Sequence, residues 1–144
     1  GPIHAEVRCG EEGPALIEIA ARSIGGLCGR ALTFGLLGES LESLIIRSAI
    51  GSVVASTEVA AKATGVMMLP IPRSGTLVRI DGVDDAAAVQ GVTDIEQTIS
   101  VGKPVVPLPE GDRYLGFIFA EGATADDVEL SLRTAADRLS VVIE

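Results

Sequence analysis

Apolar and polar positions alternate from Ile3 to Arg8, and a second short apolar run with one charge in it extends from Ala15 to Ala20. Gly10-Glu11-Glu12-Gly13-Pro14 lies between them, so the pattern predicts a β-hairpin closed by a multi-residue turn. Glycines at 25, 26, 29, 35 and 38 then interrupt every period, which predicts a loop over 22–38 with at most a short strand at Ala31 to Phe34. The spacing changes at Ser40. Leu41, Leu44, Ile45 and Ala49 recur at helical intervals, Ser40 can cap the first turn and Gly51 can stop the last, so a helix is expected over 41–50. The alanine-rich stretch 52–62 reads as partly helical, and Thr64-Gly65 is expected to close this first segment.

From residue 65 onward the pattern is that of strands. Val66 to Ile71, Gly75 to Ile80, Val92 to Ser100 and Tyr114 to Ala120 are β-rich runs separated by Pro, Gly and Asp clusters. A short helix is expected over 84–90. A longer one begins after Thr124, with Asp126 and Asp127 at its amino end and Val128, Leu132, Ala135 and Leu139 along one face. Val141 to Ile143 can return as an edge strand. The fold class is therefore α+β, with segments 1–64 and 65–144.

Composition narrows the function classes. The chain has 144 residues, a formal charge of -9, 47% hydrophobic and 3% aromatic residues, and no tryptophan. An acidic chain poor in aromatics lacks the clustered cations and stacking platforms of a nucleic-acid binder. No apolar run approaches the roughly 18 residues of a membrane helix. Cys9 and Cys28 have no CxxC spacing, which suits reduced thiols in a cytoplasm. Small molecules and proteins remain as partners.

The chemistry concentrates in the hairpin. Alternation puts His4, Glu6 and Arg8 on one strand face and Leu16, Glu18 and Ala20, followed by Arg22, on the partner's. If Glu6 pairs near Glu18, two carboxylates converge, and such a like-charge pair calls for solvent or a cation. Magnesium prefers carboxylate oxygens and shares its remaining positions with water and phosphate. Arg22 can hold anionic oxygens bidentately, and Gly25-Gly26 allows backbone amides to approach a ligand. His4, the single histidine, excludes histidine-rich zinc sites.

The string His4-Ala5-Glu6-Val7-Arg8, followed by Gly13-Pro14-Ala15-Leu16-Ile17-Glu18-Ile19-Ala20-Ala21-Arg22-Ser23-Ile24-Gly25-Gly26, resembles the final strands of the ATP-grasp domain, most closely in the L-amino-acid-ligase-like branch. Weaker similarity continues through Leu36 to Glu42, Gly65 to Pro70 and Tyr114 to Gly122. The resemblance implies that residues 1–64 are the end of an ATP-grasp domain and 65–144 a small β-rich carboxy-terminal domain with a closing helix. It implies an ATP-dependent carboxylate-amine ligase working through an acyl-phosphate, with Mg2+ or Mn2+ on Glu6 and Glu18. Arg22 is then the catalytic anion stabiliser, and Arg22, Gly25, Gly26 and His4 bind substrate.

Many members, biotin carboxylase among them, carry an Asn two residues past the second Glu as a further metal ligand; here that residue is Ala20. The nucleotide-binding half of such an enzyme has no counterpart in this sequence, so the chain alone is expected to be an inactive fragment. Two alternatives stand beside this reading: a non-catalytic module for subunit contact or partner docking, and an ATP-grasp ligase of the biotin-carboxylase-like or purine-pathway branches. A sheet cut from its neighbours leaves an unpaired edge, so self-association of the chain is also expected.

Overall fold

Thr124 starts the most strongly specified element. Its hydroxyl accepts from the Asp127 amide and the Asp127 carboxylate accepts from the Thr124 amide, forming a reciprocal capping box. The helix that follows, α3 (Ala125–Asp137), buries Val128, Leu132 and Ala135 along one face, as the spacing predicts. The computed structural model of the chain describes residues 1–25, 27–31, 40–52 and 62–144. It divides into two compact units, Gly1–Ala60 and Ala61–Glu144.

The first unit begins with the hairpin, β1 (His4–Gly10) and β2 (Gly13–Ala20), paired antiparallel. The turn is shorter than expected. Gly10 and Gly13 are themselves paired, only Glu11 and Glu12 lie outside the strands, and Gly13 takes the tight return at φ 104°. A short 3-10 turn follows at Cys28–Ala31, where a strand was expected to begin, and the rest of that expected strand lies outside the described residues. Helix α1 (Leu41–Ala49) has Ser40 as its cap, accepting from the Ser43 amide at 3.2 Å, and Gly51 (φ 74°) stands just past its end. The helix expected within 52–62 falls almost wholly outside the described residues. None of the described residues of this unit is buried.

The second unit holds β3 (Ala63–Leu69), β4 (Gly75–Asp81), α2 (Val83–Ala87), β5 (Val92–Gln97), β6 (Pro104–Val105), β7 (Gly116–Gly122), α3 and β8 (Ser140–Ile143). They form two three-stranded antiparallel sheets, ordered β3-β7-β5 and β6-β4-β8. Thr64 and Gly65 do not close a segment but lie inside β3. A Cβ on Gly65 would come within 2.6 Å of a Val128 methyl, so this glycine serves the close approach of α3 to the sheet rather than a break in the chain.

Two apolar clusters result. Ile118 and Ala120 of β7 pack with Ala86, Val128, Leu132 and Ala135 between the first sheet and its helices. Ile71, Leu77, Ile99, Val105, Leu115 and Ile143 form the other, against the second sheet. β8 is the edge strand that its sequence predicts, and Glu144 continues its pairing with Thr76. The architecture is the expected α+β one: mostly strands, with a closing helix.

Candidate functional site

Glu6 and Glu18 are directly opposed across the hairpin, and His4 faces Ala20. Between the Glu6–Glu18 and Val7–Leu16 pairs the register shifts, leaving Ile17 as an extra residue on β2. This bulge corrects one expectation. Leu16 sits opposite Val7, so it does not share the carboxylate face with Glu18; strict alternation along β2 fails at Ile17. Glu6 and Glu18 keep their common face because both lie on the same side of the bulge.

Each carboxylate has one neighbour that can carry positive charge. The Arg22 guanidinium stands 3.7 Å from Glu18 Oε1, and His4 Nε2 stands 4.0 Å from Glu6 Oε1. The Glu18 and Arg22 side chains are about half exposed, so this pair contributes roughly 0–1 kcal/mol. Its effect is on geometry more than stability: the strand ends at Ala20, the Arg22 amide donates back to the Ala20 carbonyl at 2.9 Å, and the guanidinium returns toward the strand it has just left. A second donor on Arg22 reaches the Ser23 carbonyl at 3.1 Å. The imidazole of His4 is the least exposed of these side chains, at 21%, and its Nδ1 is buried with no hydrogen-bond partner.

Gly25 faces open space, since a Cβ there would meet nothing within 4 Å. Its amide is therefore approachable from the side where a side chain would stand. Gly26 lies outside the described residues. Among the described residues, no three His, Cys, Asp or Glu side chains converge on one point that could hold a metal ion. The carboxylates that the hairpin register sets face to face are Glu6 and Glu18. Two carboxylates fit magnesium, which keeps several waters and takes phosphate oxygens at its other positions; they do not make the all-protein cage of a calcium site.

The second unit carries open concavities of about 660 Å³, beside Lys103 and Arg113, and about 530 Å³, beside Ser131 and Thr134. None of the predicted site residues lines either. Among the described residues no helix is long and apolar enough to cross a membrane.

The family model for L-amino acid ligase C-terminal domain 2 matches residues 67–144. The crystal structure of L-amino acid ligase from Bacillus licheniformis matches the whole chain with a TM-score of 0.80 and 25% identity, over 36% of its own length. N5-carboxyaminoimidazole ribonucleotide synthetase from Thermotoga maritima matches 99% of the chain at a TM-score of 0.68 and 19% identity, over 37% of its length, a likeness of fold. An uncharacterized protein of Sinorhizobium fredii (strain NBRC 101917 / NGR234), y4rH, is 29% identical over 96% of the chain and 29% of its own length. The chain thus spans about a third of the length of the relatives it matches. Its fold is that of the carboxy-terminal part of ATP-grasp ligases.

Proposed function

This chain belongs to the L-amino acid ligase C-terminal domain 2 family, and from that premise we propose that it is part of an ATP-dependent carboxylate-amine ligase acting through an acyl-phosphate. The first unit is the close of an ATP-grasp domain and the second its small carboxy-terminal domain. The observation that carries the reading is the register itself: Glu6 opposite Glu18, with Arg22 3.7 Å from the second carboxylate. Two carboxylates set directly opposite each other oppose hairpin pairing, and a divalent ion shared between them would offset that repulsion beyond what the Arg22 and His4 contacts do.

In this mechanism Glu6 and Glu18 hold Mg2+ or Mn2+. Held there, such an ion would supply positive charge beside the ATP phosphates. Arg22 exchanges its Glu18 contact for the anionic oxygens of the activated acyl group, which its planar fork fits bidentately. Gly25 and Gly26 offer backbone amides at the same end of the strand. The nucleotide, the acyl group and the amine are bound together with the remainder of the polypeptide, so the chain by itself is inactive. Its setting is the cytoplasm.

The test is Glu18→Gln in the full-length protein, with magnesium-dependent ADP release as the readout. Loss of a group that holds transition-state charge lowers turnover by about a hundredfold or more, while stability stays within about 0.5 kcal/mol of the parent because the side chain is exposed. Retained turnover defeats the assignment. ADP release with pairs of amino acids, and none with bicarbonate, favours an amino acid ligase over the biotin-carboxylase-like branch. A non-catalytic docking module is the rival that the exposed apolar hairpin favours; it calls for no ADP release at all.

A further inference from the structure

The two carboxylates are not equivalently supported. Glu18 is held by Arg22, which also binds the Ser23 carbonyl. For Glu6, the one ion-pair partner among the described residues is His4, two residues earlier on the same strand face. Three features fit His4 to that task. Its partner across the strands is Ala20, whose single methyl leaves the imidazole free to lie over the sheet toward the carboxylate pair. The ring is largely covered, so few rotamers compete with the one that faces Glu6. Its Nε2 is 4.0 Å from Glu6 Oε1, longer than a hydrogen bond but close enough for a small side-chain rotation to make one.

We propose that His4 is a positioning residue for the metal-binding carboxylate: its Nε2–H orients Glu6 so that the free carboxylate oxygen faces the ion shared with Glu18. The inference rests on the metal-site reading above. In this arrangement His4 itself is no ligand. This outer contact does for the first carboxylate what Arg22 does for the second, with one difference. Arg22 leaves when an anion arrives, whereas His4 has no other described partner and stays.

The experiment measures Mn2+ binding to the full-length protein from the loss of the free-ion paramagnetic resonance signal, with no turnover involved. His4→Ala should weaken Mn2+ binding about tenfold to a hundredfold, the range typical of lost outer-shell contacts. His4→Gln, which keeps an N–H donor, should recover most of that loss, and bound Mn2+ should show no nitrogen hyperfine coupling from His4. Unchanged affinity in His4→Ala, equal losses in the Ala and Gln variants, or a His4 nitrogen coupling would each overturn the positioning role. Glu18→Gln, run in parallel, separates the two levels of the reading. If it abolishes binding while His4→Ala does not, only the positioning role fails; if it binds Mn2+ normally, the metal site fails with it.

Discussion

The two units differ in where their apolar residues go. In the second, Leu77, Leu115 and Ile118 are wholly enclosed, and every buried hydrophobic residue described in the chain belongs to that unit. In the first, Val7, Leu16, Ile17 and Ile19 are 52–62% exposed although they occupy a strand pair. Two strands alone are marginal in water, whereas a three-stranded sheet with a helix packed on one face, as α3 packs on β3-β7-β5, can hold its own shape. Among the described residues, the candidate site thus lies in the unit without buried side chains, and the buried apolar residues lie in the other.

The largest test of that contrast is a matched truncation in the isolated chain. Leu77→Ala, in a fully enclosed position, should cost about 2–5 kcal/mol in urea denaturation. Leu16→Ala, 60% exposed, should stay within about 0.5 kcal/mol. Equal losses would mean that the hairpin is covered in the isolated chain after all, and the comparison would break. Next in size is the helix that covers the first sheet of the second unit. Thr124→Ala removes the capping hydroxyl and should cost about 1 kcal/mol, with Thr124→Ser close to the parent.

The smallest effect concerns charge. The hydrogen bond and charge of Arg113 hold the Asp112 carboxyl below its ordinary value of 3.8. A lowered folded-state value contributes stability above the unfolded value and loses it as pH falls through the folded one. Arg113→Ala should move the Asp112 titration, followed by NMR, back up toward 3.8 without a measurable change in melting temperature, because the group is fully exposed. Glu18→Gln should be equally quiet in a melt. If either charge change unfolded its unit, exposed ion pairs rather than enclosed apolar surface would distinguish the two.

How much of this is legible in the sequence varies by element. The helices after Ser40 and Thr124 are fully legible, because a capping residue and an apolar spacing state the same boundary twice. The strands around Met67, Leu77 and Phe119 were readable from their apolar runs. β6 was not: Pro104 and Val105 pair with β4 for only two residues, and so short a bridge has no period to detect. Gly65 misled in an instructive way, since a glycine required by a neighbouring helix looks the same in sequence as one required by a turn.

At the site, alternation put Glu6 and Glu18 on facing positions, and the register brings them together. The bulge at Ile17 was invisible, because nothing in the residue types around it marks an extra residue. The shared face of His4 and Glu6 was legible from their i, i+2 spacing, and the 4.0 Å approach of the two side chains agrees with it.

That bulge divides the hairpin into two stretches of different register. Toward Glu11 and Glu12 the pairing follows the turn, and toward His4 it follows the carboxylate pair, with Ile17 taking up the difference between them. For an engineer this marks the loop at Glu11–Glu12 as the place to try inserting an epitope or a fluorescent reporter, since the register shift lies between it and Glu6 and Glu18.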